Sequence, residues 1–521
     1  MLAKAATASS ALFTDAPLPY RPPWDGVLYQ VVRDNVATLY QAAEDGFGMP
    51  LPAFVKEELD GYLHCQVLGR GFAHLVCKDC GGSHLLAFCC RGRGFCPCCT
   101  GRTMSQTAAN LTEFVLPAVP LRQFVLTVPH ALRPLIAYHR TLLPRIYGIF
   151  CDSIQGFYHR RLSDLGHAAG RTGSVTAIQR ASSDLRLNPH LHGVFLDGVF
   201  TERSDGTLHF VDLPELSDLD VCELLQTIAA RVLAYLRRQG LLVDDVLDAA
   251  QNDGEQLVLS ALAAAATFGK SLAGPETRPG RTLAMHHASD RAHISSPRCA
   301  SYAGFSLHAN TFVDAFDKTG RERLLKYILR PPLAAERIER LSGGRVRLRL
   351  KRPFSDGTWA VEMDELSLVA RLAALVPPPW QNQVRYSGVL APASKWRSRI
   401  VPQPQQVPSQ SCAHDDPAHL ESDTNLPKGK GSRYWPWRFL KARTFGEQTT
   451  KCPDCSGPLK LRALVQDRDS IHRILTHQGL PTHVPKPAPA RGPPYYKGPV
   501  RRLRPGGPQQ ERKPSTACLR A

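Results

Sequence analysis

The chain has 521 residues, enough for several domains with at least one sizeable core, and no apolar run approaches the roughly 18 residues of a membrane span. Its net charge of +18 is uneven: residues 426–521 hold 20 Lys/Arg against 5 Asp/Glu, and everything before them carries only +3. A basic tail on a near-neutral body points to nucleic acid or another polyanion, and the N-terminal "MLAKAATASSALFTDAPLP", with one Lys and no sustained apolar run, is a poor signal peptide.

In chain order, residues 1–60 read as a helical lead-in segment, Pro-rich at first. Residues 61–104 form a small module dense in cysteine. Eight of the 15 cysteines lie between Cys65 and Cys99, a pattern that belongs to metal binding in a reducing cytoplasm. Cys77, Cys80, Cys96 and Cys99 spell C-x2-C-x15-C-x2-C, the spacing of a four-thiolate zinc site. Such a site has no open position for water, so its zinc is structural. Cys65, Cys89, Cys90 and Cys98 are surplus; a second zinc or another ligand set, with Cys65 and Cys90 as additional ligands, stays open.

The long stretch 120–400 begins with the apolar strand "RQFVLTVPH" and a helical run to about Arg161. Two strand-like runs follow, "SVTAIQRA" and "NPHLHGVFLDGVF", separated by a turn-prone segment that suggests a hairpin. An amphipathic helix covers Asp218–Gln239, with Ser217 as N-cap, Asp220 three residues on and Gly240 at its end. Residues 250–300, Ala-rich at first and then Gly-, Pro- and His-containing without period, read as an insertion or linker. The strand "GFSLHANTFV", the helix "RERLLKYILR" and the strand "GGRVRLRLKRP" restore regular structure. Residues 401–430 read as a linker. The basic region 431–521 carries Cys452, Cys455, His472 and His477, C-x2-C-x16-H-x4-H, as a tentative second zinc site.

His190 and His192, two apart on a strand, project from one face and can share a divalent cation while leaving it positions for phosphate oxygens. So short a motif is weak alone, and two polar residues opening a buried strand would look the same. Gln179, facing them across the hairpin, supplies a third ligand by geometric inference, with His308 as its rival. Tyr327 stands on a helix that Pro331 and Pro332 must end, with Arg323 four residues before it and Arg330 three after. A phenol flanked by guanidiniums suits attack on phosphate, because the cations attract the polyanion. In "GGRVRLRLKRP", Arg345, Arg347, Arg349 and Lys351 alternate with apolar residues, a basic face able to track a nucleic-acid backbone.

"GRGFCPCCTGRTM", "FVLTVPH", "NPHLHGVFLDGVF", "GFSLHA", "KYILRPPLA" and "VPPPWQNQVRYSGVLAPASKWR", in that order, resemble the transposases of the IS ninety-one-type insertion sequences, over roughly residues 55–400. The resemblance implies an α+β fold: an HUH nuclease domain with a central antiparallel sheet, a zinc-binding module before it and a basic C-terminal tail after it. It also implies Mg²⁺ or Mn²⁺ on His190 and His192, and attack by Tyr327 on single-stranded DNA at transposon ends. The product is a 5′-phosphotyrosine with a free 3′-hydroxyl that primes rolling-circle transposition, alongside the host replication machinery. Some relatives carry a second tyrosine four residues earlier. Here Arg323 stands there, which implies a single-tyrosine branch that would need water, a 3′-hydroxyl or a second subunit of a homo-oligomer to complete strand transfer. The rivals are a rolling-circle replication initiator or relaxase, and a catalytically inactive zinc-dependent DNA-binding protein.

Overall fold

The computed structural model describes residues 22–243, 246–247, 255–268, 283–284, 292–402, 452–495 and 498–505. Most of the expected 401–430 linker and much of the expected 250–300 insertion lie outside the described residues. The N-terminal part holds helices α1 (Val27–Phe47) and α2 (Ala53–His64), the hairpin β1 (Phe72–Cys77) and β2 (Ser83–Ala87), and helix α3 (Pro97–Phe114). Next come β3 (Leu121–Thr127), α4 (Arg133–Tyr138), α5 (Leu142–Asp164), β4 (Gly173–Ala181), β5 (Leu187–Leu196), the ribbon β6 (Gly198–Glu202) and β7 (Leu208–Asp212), and α6 (Asp218–Arg238). Three two-residue strands, β8 (Leu242–Val243), β9 (Val246–Leu247) and β10 (Leu283–Ala284), accompany α7 (Glu255–Phe268). The chain continues through β11 (His293–Ser296), β12 (Cys299–Tyr302), β13 (Phe305–Val313) and α8 (Lys318–Ile328). After these stand β14 (Ile338–Leu341), β15 (Arg345–Arg349), β16 (Ala360–Asp364), α9 (Glu365–Leu375), β17 (Val384–Gly388) and α10 (Arg397–Ile400). The described C-terminal elements are β18 (Leu459–Val465), α11 (Arg468–His477) and β19 (Arg501–Leu503).

The architecture is α+β with antiparallel sheets. The largest sheet has the order β11-β12-β13-β3-β5-β4-β17, so β5, with the histidine pair, lies between β3 and β4. Alternation along β5 divides the sheet. Leu191 and Phe195 pack on α5 and α6, while Val194 and Leu196 join the core beneath α3 and α8. Both faces are therefore covered. Gly193 is required on the first face, because a Cβ there would lie 2.9 Å from the Phe150 ring of α5. The hairpin expected from β4 and β5 forms. The apolar run after it splits in two at Asp197, whose carboxylate accepts hydrogen bonds from Arg122 at 2.9 Å and Tyr158 at 2.6 Å. Helix α6 starts at the capping box of Ser217 and Asp220, as its sequence indicates.

A second core surrounds α9, all eleven residues of which are buried, and includes α1, α2, α7 and β14–β16. Helix α7 falls where the sequence read as aperiodic insertion. Val258, Leu259, Leu262, Ala263 and Ala266 are buried there, and a helix apolar on most of its circumference has no polar face to mark a period. The two cores meet at Arg180 of β4, which is fully enclosed. It donates to the carbonyls of Ala374 and Leu375 at the α9 C-terminus, to Ala137 and to Gln381 Oε1. Carbonyl dipoles at a helix end thus stand where a carboxylate would otherwise be needed.

The C-terminal region is not a free tail over its described part. Strand β18 pairs along β1 from Phe72–Val465 to Cys77–Leu459, Ala488 N–H donates to Arg33 O, and β19 joins β16. Arg180→Ala should lower stability by about 2–4 kcal/mol in chemical denaturation, since it strands several buried carbonyls. Arg323→Ala, on an exposed position, should stay within about 0.5 kcal/mol of wild type.

Candidate active site and metal centres

On β5, His190 sits opposite Thr127 of β3 and Gln179 of β4, and His192 opposite Val125 and Ala177. Both imidazoles rise from the face that α8 crosses, with ring centroids 4.8 Å apart. His190 Nδ1 lies 2.6 Å from the Asn188 carbonyl, and His192 Nδ1 lies 2.8 Å from the side-chain amide of Gln123 on β3. The carbonyl accepts the Nδ1 proton of His190, leaving its Nε2 lone pair free. As placed, the Gln123 amide nitrogen donates to His192 Nδ1 and leaves the ring proton on Nε2; turning the amide so that its oxygen faces the ring gives His192 the same tautomer as His190. His192 Nε2 is buried and has no hydrogen-bond partner. An orphaned ring nitrogen beside a second imidazole fits a divalent cation held by both Nε2 atoms. Among the described residues, no third His, Cys, Asp or Glu ligand atom joins the pair within 4.8 Å.

Burial, above all, holds both rings neutral: it brings His190 down to about 4 and His192 well below the ordinary histidine value, with Arg330 adding to both shifts. Neutral rings are what a metal requires.

Helix α8 is anchored at both ends. Asp317 caps its first turn, and buried Arg321 donates to the carbonyls of Leu116, Pro117 and Val119. At its far end the Gln179 amide donates to Tyr327 O at 3.3 Å and Ile328 O at 2.7 Å. Gln179 does face His190 in register, but its amide nitrogen is engaged with the helix end. Leu324, Leu325 and Ile328 press into the sheet, leaving Tyr327 45% exposed at the edge. The Tyr327 ring meets His192 edge-on at 5.8 Å, and the Arg330 guanidinium lies 4.5 Å over it. His308 shares this face in register with Val125, one strand beyond β3 from His192. Arg323 is exposed one turn before the tyrosine.

A cavity of about 350 Å³ opens beside Ile328 and Gln179. The loop Arg91–Gly94, α3, β4 and the segment after α8 form its walls, with Arg91, Arg93, Arg180, Arg330, Arg337 and Lys351 lining it and no carboxylate among the lining residues. Burial, then Arg330 and Arg337, pull the Lys351 ammonium below its ordinary range. Arg345, Arg347 and Arg349 are placed differently. They sit on β15 between β14 and β16, where Arg347 pairs with Glu362 at 2.7 Å and with Glu339 at 3.4 Å, and Arg349 with Glu339 at 3.3 Å. The basic face expected there is a mixed one, because the flanking strands supply carboxylates that alternation within β15 cannot reveal.

The cysteines are also partnered differently from their spacing. Cys77 and Cys80 do not meet Cys96 and Cys99. They meet Cys452 and Cys455, with Cys77 Sγ 3.4 Å from Cys455 Sγ and Cys80 Sγ 3.6 Å from Cys452 Sγ. The cause is the β1–β18 pairing, which lays one C-x2-C knuckle against the other. These distances approach the roughly 3.8 Å between thiolates around one tetrahedral zinc. His472 and His477 are exposed on α11 and belong to no ligand cluster among the described residues. Cys96 and Cys99 instead group with Cys65 and Cys90, and Cys65 and Cys99 also with Cys89 and Cys98. Gln123 was missed in the sequence; a glutamine among the apolar residues of β3, 2% exposed, was its only signal.

Two family models match the chain: a transposase zinc-binding domain over residues 35–128 and a putative transposase domain over residues 173–398. The chain has no match among curated proteins and none among solved structures. No helix among the described residues is long and apolar enough to cross a membrane.

The folded protein refuses protons on His190 and His192 that the unfolded chain accepts below about pH 6.5. Metal-free protein should therefore lose stability as pH falls from 6.5 toward 4. Urea midpoints at pH 7 and 5.5 should drop less for His190→Asn/His192→Asn than for wild type; comparing the two removes the acid sensitivity of the thiolates. Cys452→Ser/Cys455→Ser should cost one zinc per chain by metal analysis and render residues beyond 452 susceptible to limited proteolysis.

Proposed function

We propose, from a chain that matches a transposase zinc-binding domain and a putative transposase domain, a metal-dependent single-strand DNA endonuclease of the HUH class that nicks and joins transposon ends through Tyr327. The observation that carries this reading is the convergence of Tyr327, His190 and His192 on one sheet face, with an orphaned imidazole nitrogen between sheet and helix. His190 and His192 are the protein ligands for Mg²⁺ or Mn²⁺, whose contribution when bound is to polarise the scissile phosphate. With its amide oxygen turned to Nδ1, Gln123 holds His192 in the ligating tautomer. Gln179 positions the tyrosine helix, and a third ligand role for it would use only its amide oxygen.

Tyr327 Oη attacks phosphorus as the bond from phosphorus to the 3′-oxygen breaks. The phenolic proton is lost to solvent, and the departing oxygen takes up a proton to become the 3′-hydroxyl. The energy of the broken ester is kept in the 5′-phosphotyrosine, so a later hydroxyl can rejoin the strand without ATP. Arg330, stacked on the phenol, orients the ring and places positive charge beside the phosphate. The carboxylate-free cavity next to it, with Arg91, Arg337 and Lys351, takes the DNA backbone as it leaves the site. Four-thiolate zinc centres hold the flanking module in shape and leave no position for substrate.

Incubation of the protein with Mn²⁺ and labelled single-stranded end sequences should give a covalent adduct on a denaturing gel. Tyr327→Phe should abolish it, and His190→Ala or His192→Ala should slow it by about 10³-fold or more. Binding without an adduct, under every metal and end tried, would instead support a zinc-dependent DNA-binding protein.

A further inference from the structure

The six cysteines at positions 65, 89, 90, 96, 98 and 99 fall into two four-thiol sets that share two members. One set is Cys65, Cys90, Cys96 and Cys99; the other is Cys65, Cys89, Cys98 and Cys99; within each, all sulfur atoms lie within 4.8 Å of one another. The shared pair is 3.7 Å apart, Cys96 is 3.6 Å from Cys65, Cys90 is 3.4 Å from Cys99, and Cys89 is 3.8 Å from Cys98. These are the edges of two tetrahedra joined along Cys65–Cys99. We propose that this cluster binds two zinc ions, each with two terminal thiolates, and that Cys65 and Cys99 bridge them. The proposal rests on the reading that these cysteines bind zinc at all, and goes beyond it in number and ligand role.

Three features argue for two ions. First, Cys89–Cys90 and Cys98–Cys99 are adjacent pairs, and neighbouring side chains diverge along the backbone. The structure sends Cys89 and Cys90 to different sets, and of Cys98 and Cys99 only Cys99 belongs to both. Second, the bridging candidates occupy the middle. Cys65 and Cys99 are 4% and 1% exposed, and Cys65 is within reach of all four of Cys89, Cys90, Cys96 and Cys98. A single ion in either set would leave two thiols of the other pressed against it without a ligand role, and nothing in the geometry prefers one set. Third, the surroundings suit an anionic core. Two Zn²⁺ displace six thiol protons and leave a Zn₂S₆ core of charge 2−. Cys96 is the N-cap of α3, with Cys98 and Cys99 in its first turn, at the positive end of an 18-residue helix. The backbone N–H groups of Cys90 and Gly92 donate to Cys65 Sγ at 3.5 Å and Cys90 Sγ at 3.3 Å.

X-ray absorption at the zinc edge of the purified full-length protein tests this directly. Edge-sharing tetrahedra with Zn–S bonds of about 2.3 Å place the two ions roughly 3 Å apart, so a zinc–zinc scattering path near that distance is expected beside an all-sulfur first shell. Metal analysis should show Cys89→Ser/Cys98→Ser holding one zinc fewer per chain than wild type, with the zinc–zinc path gone. Absence of that path in wild type overturns the proposal whether or not the variant folds, and so does a variant that keeps the wild-type count. If Cys65→Ser/Cys99→Ser also keeps the wild-type count, the zinc reading of this cluster itself fails, a result distinct from finding one ion in place of two.

Discussion

Everything at the candidate site hangs from the position of β5 between β3 and β4. A strand with neighbours on both sides and cover on both faces cannot slip by one residue, since the slip would drive His190 and His192 into the apolar core around Phe150 and turn Leu191 and Phe195 out of it. Register therefore fixes which imidazole meets Gln123, which residue faces Gln179, and where α8 must lie for Tyr327 to touch His192. The helix is held to that place by Arg321 at one end and Gln179 at the other, both through backbone carbonyls. One contact uses the α8 side chain of Arg321 and the other the α8 backbone at Tyr327 and Ile328, so neither engages the tyrosine side chain, which faces outward.

Helix α3 carries this constraint to the cysteine module. Its N-cap and first turn bear Cys96, Cys98 and Cys99, and its later residues Ala108 and Leu111, with Val115 just past its end, share a core with Leu324, Leu325 and Ile328 of α8. The loop that carries Arg91 and Arg93 into the cavity wall lies between Cys90 and Cys96. Thiolate geometry and cavity shape are thus one mechanical unit. The second knuckle pair works in a different direction: it ties residues 452–465 to β1 and closes the chain back on its beginning.

Charge is arranged by location. On β15 the guanidiniums face glutamates from adjacent strands, while around the cavity Arg330 lies against Lys351 and Arg337, with Glu336 offsetting part of the charge and Arg337 donating to the Ser183 and Arg349 carbonyls. Like charges held together cost stability unless a polyanion completes them, and that contrast separates structural arginines from those available to a ligand.

The short-range rules were legible in the residues alone. Alternation put the histidines on one face, the capping box began α6 at Asp218, prolines ended the helix of Tyr327, and paired cysteines announced metal. These follow from dihedral preferences and periodicity within a dozen residues. Partners from distant segments were not legible. Cys77 and Cys80 fit Cys96 and Cys99 by spacing yet meet Cys452 and Cys455, because pairing of β1 with β18 sets which knuckles touch. Helix α7 was hidden by being apolar nearly all round, and the basic face of β15 was cancelled by strands that lie beside it only after folding. The sequence by itself determined the chemistry on offer: two imidazoles, a phenol, thiolates and a surplus of cations. Tertiary structure alone decided their company, because ligand sets, ion pairs and cavities are made by side chains whose distance along the chain says nothing of their distance in space.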